Sequence, residues 1–300
     1  MTSSPTLLLL LLTLTVSFGT ARGQSPSPEP KVWRDVEYVS GGGHSRSLDV
    51  YVPEKKGDAK PPLIVWIHGG AWRGGDKAED KALWLLKEGF ASASINYRPS
   101  GEAHFPAQIE DCKAAIRFLR SKAGEYGFDP DHIGVWGSSA GGHLAALLGV
   151  SGGVKELEGN PENPAVSSRV QAVCDFIGPS DLLTLSAQAD AQSTVQHDDP
   201  GSSASQLIGG AVQENVEKAR AASPVVYVTP DDPPFLIVHG DDDHVIPVGQ
   251  SWELYGTLQK AGVKSTIHVI KGGGHGEHFD SKEVVPWIRD FFNETLKPKH

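Results

Sequence analysis

Short apolar runs rich in β-branched residues alternate along most of this chain with stretches of helical periodicity. The first run, SLDVYV, alternates like a half-buried strand, whereas the others are continuous apolar runs, typical of strands buried on both faces. Because strands and helices alternate in sequence, we predict an α/β fold with a mostly parallel central sheet and helices on both faces. The predicted strands are Ser47–Val52, Leu63–His68, Phe90–Asn96, Ile133–Trp136, Val170–Phe176, Phe235–Val238 and Thr266–Ile270.

Four segments have helical spacing, and one long region has neither pattern. Helices are predicted over Pro106–Ala123, Ala140–Val150, Trp252–Lys260 and Val284–Leu296. Residues 152–222 are rich in Gly, Pro, Ser and Gln and contain one strong strand run, so we interpret them as a loop-rich insertion over one end of the sheet. No linker follows residue 31, and we expect residues 32–298 to form one domain.

The N-terminal segment is predicted to lie outside the fold. Leu7–Val16 is a leucine-rich apolar run that spans only about 15 Å as a helix, too short to cross a membrane. Small residues follow, so residues 1–23 are predicted to be a secretory signal peptide and residues 24–31 (QSPSPEPK) a linker. No Lys or Arg precedes the run, which leaves an uncleaved anchor as the alternative. We expect the mature protein to be secreted or periplasmic and not membrane-bound.

The charge balance and the cysteine count limit the classes of function. The net charge is −10, from 27 basic and 37 acidic residues, so binding to a nucleic-acid phosphate backbone is not expected. The two cysteines, Cys112 and Cys174, can pair in an oxidising compartment or serve as small buried apolar residues. Neither lies near a motif for a catalytic thiol or a metal site.

Gly137-Ser138-Ser139-Ala140-Gly141 matches the pattern Gly-x-Ser-x-Gly between a predicted strand and a predicted helix. In that context the serine occupies a sharp turn, and the glycines let the strand and the helix approach it closely. The helix N-terminus favours negative charge beside the serine. We predict that Ser139 is a nucleophile; Ser138 fails the glycine spacing.

His68-Gly69-Gly70-Ala71-Trp72 follows a buried strand directly. A serine hydrolase needs N–H donors directed at the developing oxyanion, and a glycine-rich loop leaves backbone amides free for that role. We predict donors at Gly70, Ala71 and Ala140. His68 is expected to support this loop, and Trp72 either packs it or contacts substrate.

The acid and the base of a triad should follow the serine, in that order. The strand Phe235–Val238 leads into a loop with three aspartates, of which Asp243 lies deepest and Asp241 suits the turn. The last strand leads into a glycine-rich loop that carries His275, with His278 as the alternative base. We predict a triad of Ser139, Asp243 and His275 at the carboxyl edge of the sheet, where open α/β sheets bind ligands.

No cofactor or metal is predicted. His239, Asp241, Asp243 and His244 form a dense patch of metal-binding residue types, but the patch lacks a recognised zinc spacing. No Gly-x-Gly-x-x-Gly follows the first strand, and there is no Walker loop, so nucleotide cofactors have no support.

These motifs together resemble the α/β-hydrolase group that contains bifunctional feruloyl/acetyl-xylan esterases and related lipase-like carboxylesterases. The resemblance spans residues 46–296 and implies the same fold and the same triad. Related hormone-sensitive-lipase-like esterases usually carry a third glycine where this chain has Ala71, and kynurenine formamidases share the His-Gly-Gly-x-Trp pattern. The landmarks are His68 to Trp72, Asn96 to Arg98, Gly137 to Gly142, Gly178 to Asp181, Ala222 to Pro224, His239 to Asp243 and Gly274 to Gly276.

The sequence therefore predicts acyl transfer through a covalent acyl-serine, with a small-molecule or oligosaccharide ester as substrate. We expect short acyl chains, such as acetyl or feruloyl groups on plant polysaccharide, because residues 152–222 offer few large apolar side chains to line a long acyl groove. The alternatives are an amide hydrolase similar to kynurenine formamidases and a non-catalytic binding protein on a hydrolase scaffold.

Overall fold

One sheet organises the described part of the chain. The structure is a computed structural model, and it describes residue 1 and residues 29–54, 59–160, 162–276 and 282–297. Within these ranges the sheet has eight strands, β1 to β8, which are Lys31–Glu37, Ser47–Val52, Leu63–Ile67, Ala91–Ile95, Ile133–Ser138, Ala172–Phe176, Phe235–Gly240 and Ser265–Ile270. Their order in the sheet is β1-β2-β4-β3-β5-β6-β7-β8. β2 pairs antiparallel with β1 and β4, and the remaining pairs are parallel, which confirms the predicted mostly parallel sheet.

Helices cover both faces of this sheet. Among the described residues the α-helices, α1 to α7, are Ala107–Tyr126, Ala140–Val150, Leu185–Gln188, Ser203–Ile208, Val216–Ala221, Gly249–Ala261 and Val284–Leu296. In β3, Leu63, Val65 and Ile67 join the core that contains α1, α2 and α6, whereas Ile64 and Trp66 face the core that contains α7. This alternation is the two-residue period of a strand buried on both sides. None of the helices in the described ranges is long and apolar enough to span a bilayer.

The antiparallel edge of the sheet differs from the prediction. β1 was not predicted, and its first residue, Lys31, belongs to the segment predicted as a linker. β2 was predicted to be half-buried, but all six of its residues are buried. On its outward face, the carboxylate of Asp49 lies 2.6 Å from Nζ of the equally buried Lys77. An ion pair therefore occupies the face that the alternating pattern assigned to solvent.

The cysteines lie on opposite sides of the sheet. Cys112 of α1 and Cys174 of β6 are free and fully buried, and they belong to the two different cores. Burial raises the pKa of both thiols well above their usual range. Of the two alternatives, the structure therefore has small buried residues rather than a disulfide.

Residues 152–222 contain β6 and three short helices, α3 to α5. Their first part is joined to α1 by Glu158, which contacts the buried Lys113 and Arg117. Their later part is joined to α6, because Gln250 accepts from the amides of Ser180 and Asp181. The predicted signal peptide lies outside the described residues, except for residue 1.

Candidate active site

Ser139 occupies a strained turn between β5 and α2. Its backbone has φ 57° and ψ −121°, a region that residues with a side chain seldom adopt. The turn is held from two sides, because the Ser139 amide donates to the carbonyl of Phe176 and the Ser139 carbonyl accepts from the amide of His143. The side chain is therefore fixed at the carboxyl edge of the sheet.

The glycines around Ser139 are required by close backbone approach. A Cβ at Gly137 would lie 2.1 Å from the carbonyl oxygen of Gly141. A Cβ at Gly141 would lie 2.1 Å from the carbonyl oxygen of Ile67, at the end of β3. The first turn of α2 thus packs directly on its own strand and on the start of the His68–Trp72 loop.

The three predicted triad side chains form one hydrogen-bonded series. Nε2 of His275 lies 2.9 Å from Oγ of Ser139, and Nδ1 of His275 lies 2.7 Å from Oδ2 of Asp243. The imidazole is partly exposed, while the side chain of Asp243 is fully buried. The structure thus places an imidazole between a hydroxyl and a carboxylate, the arrangement that general-base activation of serine requires.

Asp243 is held as a carboxylate. Its Oδ1 accepts hydrogen bonds from the amides of Val245 and Ile246, at 2.8 and 2.9 Å. Burial alone would raise its pKa, but hydrogen bonds with His239 and His275 outweigh that effect and hold the pKa well below its usual range. Asp243 is therefore ionised at neutral pH.

The competing residues have other contacts. Oδ1 of Asp241 accepts from the amide of Gly272 at 2.5 Å, which joins the loops after β7 and β8. Asp242 is exposed and lies 3.4 Å from His244. His278 lies outside the described residues. In the described ranges no group of three His, Cys, Asp or Glu side chains is placed to hold a metal ion.

Two further polar side chains are buried on β7 and β6, and sequence analysis did not predict the burial of either. His239 contacts Ser251 Oγ through Nδ1 and the carbonyl of Ile246 through Nε2, at 2.6 and 2.9 Å. Asp175 of β6 accepts from the amide of Gly178, and its Oδ2 has no partner among the described residues. Burial raises the pKa of Asp175 to about 6.

The predicted oxyanion loop has left-handed backbone at three consecutive residues. The φ values are 102° at Gly70 and 55° at both Ala71 and Trp72. Ala71 and Ala140 line one pocket together with Ser139, and neither amide has a hydrogen-bond acceptor among the described residues. Gly70 is not among the residues lining that pocket; its carbonyl accepts from the amides of Arg73 and Gly74. Two of the three predicted donors therefore lie beside the serine.

Trp72 is anchored by a buried histidine that sequence analysis missed. The indole N–H of Trp72 donates to Nδ1 of His143 at 3.1 Å, and Nε2 of His143 donates to the carbonyl of Ala222 at 2.7 Å. An indole N–H is only a donor and a carbonyl only an acceptor, so both contacts require the neutral tautomer protonated at Nε2. Burial lowers the pKa of His143 to about 4, in agreement with a neutral ring. Its one signal in the sequence is its position one helical turn after Ser139.

His68 and Tyr97 hold the other side of this loop. Their rings stack at a centroid distance of 4.4 Å, and the Tyr97 hydroxyl donates to the carbonyl of His68 at 3.1 Å. Nδ1 of His68 donates to the carbonyl of Gly69. These contacts place His68 as a support of the loop, away from the triad.

The pocket at Ser139 is small, with a volume of about 60 Å³. Its wall is mostly apolar and combines the oxyanion loop, the loop after β7 that carries Asp243, and residues 152–222. Trp72 is part of that wall as well as packed against His143. The remaining lining residues include Pro179, Leu185, Val195, His197, Ser203, Ala204, Val245 and Ile246.

Comparison with known proteins finds similarity to proteins that are named esterases. The BD-FAE family model matches residues 48–258. Esterase LipQ of Mycobacterium tuberculosis is 30% identical over 268 residues, covering 86% of this chain and 61% of LipQ. The chain therefore spans about three fifths of that curated relative's length.

Two solved structures are similar to this chain in sequence as well as in fold. A truncated carbohydrate esterase from gut microbiota is 37% identical, with a TM-score of 0.83 over 92% of this chain and 100% of that one. The bifunctional GH43-CE protein of Bacteroides eggerthii is 34% identical, with a TM-score of 0.80 over 88% of this chain and 35% of that one.

Proposed function

Since the chain belongs to the BD-FAE family of α/β-hydrolase esterases, we propose that it is a serine esterase that hydrolyses esters of short carboxylic acids. One observation carries this proposal: Ser139, His275 and Asp243 form a hydrogen-bonded series with distances of 2.9 and 2.7 Å. The series ends at a small pocket that can hold an acyl group.

In the first step, Nε2 of His275 takes the proton of the Ser139 hydroxyl while Oγ attacks the ester carbonyl carbon. The resulting tetrahedral oxyanion collapses, and the C–O bond to the alcohol breaks. His275 gives its proton to the departing alkoxide, which leaves as the alcohol. A water molecule then attacks the acyl-serine with His275 again as base, and the acid and free Ser139 are released.

The oxyanion is stabilised by the amides of Ala71 and Ala140. Both lack other acceptors and lie beside Ser139, so they are available when negative charge develops. Ala140 is also the first residue of α2, whose N-terminal dipole favours negative charge there. Asp243 holds the imidazole in the tautomer that presents Nε2 to the serine and stabilises the imidazolium that forms.

The pocket volume limits the acyl group. The pocket beside Ser139 is small and mostly apolar, which favours short acyl chains such as acetyl to butyryl over long ones. Since similar structures are described as carbohydrate esterases, we propose acetyl groups on sugar hydroxyls as the substrate.

We also propose export, on the basis of residues 1–23.

A substrate series on the purified mature protein tests this function, with Ser139→Ala as the inactive control. p-Nitrophenyl acetate and butyrate should have kcat/KM values far above that of the laurate ester, and acetylated xylan fragments should release acetate. A preference for laurate would indicate a lipase. Efficient hydrolysis of N-formylkynurenine with weak ester turnover would indicate a formamidase, and no turnover of any substrate would indicate a binding protein.

A further inference from the structure

A buried imidazole without a complete set of partners lies in the wall of the Ser139 pocket. His197, in the segment between α3 and α4, is 4% exposed and lines the same pocket as Ser139. Its Nε2 is inaccessible to solvent and has no hydrogen-bond partner among the described residues. Buried polar atoms are nearly always paired, so this one needs an explanation.

The His197 ring is neutral and has a lone pair to offer. Burial lowers the pKa of His197, and a hydrogen bond with the backbone of Val245 offsets this only in part. A neutral imidazole carries its proton on one nitrogen and a lone pair on the other. Nε2 can therefore present a lone pair, which matches a ligand atom that bears a proton.

A second polar side chain lies in the same pocket wall. Ser203 lines the pocket, and its neighbour Ser202 donates through Oγ to the carbonyl of His197 at 2.8 Å. This bond holds His197 close to the residues around Ser203. Apart from Ser139, His197 and Ser203 are the polar side chains that line an otherwise apolar pocket in the described part of the chain.

We propose that His197 is a specificity-determining residue that accepts a hydrogen bond from a hydroxyl of the substrate bound at Ser139. This inference rests on the proposed esterase function. The hydroxyl has two sources: the acyl chain of a short hydroxy acid, or the alcohol, where a hydroxyl neighbours the esterified position as it does in a sugar.

Two matched ester pairs distinguish these sources. The acyl pair is p-nitrophenyl 3-hydroxybutyrate against p-nitrophenyl butyrate. The alcohol pair is the monoacetate of trans-1,2-cyclohexanediol against cyclohexyl acetate. Each kcat/KM is divided by the rate of alkaline hydrolysis of the same ester, which removes differences in intrinsic reactivity. The wild-type enzyme should prefer the hydroxylated member of one pair by about tenfold or more.

His197→Phe keeps a ring but removes the acceptor, so it should abolish that preference while the ester without the hydroxyl is still cleaved. His197→Gln supplies an amide oxygen and should retain part of the preference. His132→Phe, at a partly exposed histidine that bonds to Asp129, serves as the matched control and should change neither ratio.

The outcomes distinguish a failure of the role proposed for His197 from a failure of the proposed esterase function. An active wild-type esterase with no preference in either pair would overturn the role of His197, and so would a preference that survives in His197→Phe. This wild-type comparison does not depend on how any variant folds. Absence of turnover on all four esters would instead overturn the proposed esterase function.

Discussion

Replacement of Asp175 by asparagine should change how the stability of this protein depends on pH. The unfolded chain binds a proton at this carboxyl only below about pH 4, but burial raises its pKa in the folded protein to about 6. Between these values the folded state holds the extra proton, so the contribution of Asp175 to stability is lost as pH rises from about 4 to about 6. A difference of about two pKa units corresponds to about 3 kcal/mol.

Chemical denaturation of the wild type and of Asp175→Asn from pH 4 to pH 8 measures this effect. The amide is nearly isosteric and does not titrate, and its constant cost as a buried polar group affects all pH values alike. The free energy of unfolding of the variant, relative to wild type, should therefore rise by about 3 kcal/mol across the window and then level off. Ser139→Ala, which retains Asp175, should follow the wild-type curve. A difference between Asp175→Asn and wild type that stays flat with pH would refute the reasoning.

Three further predictions concern activity. Ser139→Ala should lower kcat by about 10⁴–10⁶-fold, because triad members act as a unit, and a fluorophosphonate should no longer label the protein; continued labelling would exclude this nucleophile. Asp243→Asn should lower kcat by about 10⁴-fold in the same ester assay, because the tautomer of the base is lost, and Asp241→Asn should lower it far less; the reverse order would move the acid to Asp241. His143→Leu leaves the Trp72 indole without an acceptor and should lower kcat by tenfold or more by displacing the oxyanion loop, whereas His143→Gln, which has both a donor and an acceptor, should recover most of it. Equal losses in the two His143 variants would show that packing alone matters.

The triad geometry was accessible from the sequence because each member follows a strong local pattern. Ser139 lies between a buried strand and a helix, and His275 lies in a glycine-rich loop after the last strand. Parallel strands bring their carboxyl ends to one edge, so the order of the motifs along the chain was enough to place these side chains close together. The choice of Asp243 over Asp241 followed from the depth of Asp243 in the loop and from the suitability of Asp241 for the turn.

Features that depend on distant partners were not accessible in this way. His143 and His197 look like ordinary histidines in the sequence, and their burial comes from elements far along the chain. β1 was missed because five of its seven residues are exposed, so it lacks the apolar run of a central strand. The burial of Asp49 depends on Lys77, 28 positions later, which no short-range periodicity can register.

The reacting side chains and much of the pocket wall come from different parts of the chain. The proposed reacting groups follow the sheet strands β5, β7 and β8, whereas Leu185, Val195 and Ala204 of the pocket wall belong to residues 152–222. Mutations and length changes between α3 and α4 can therefore change which esters the pocket accepts without altering the positions of the reacting side chains. Substrate specificity can thus diverge within one scaffold. Changes at Ala222 are more constrained, because its carbonyl accepts a hydrogen bond from His143, which in turn accepts one from Trp72.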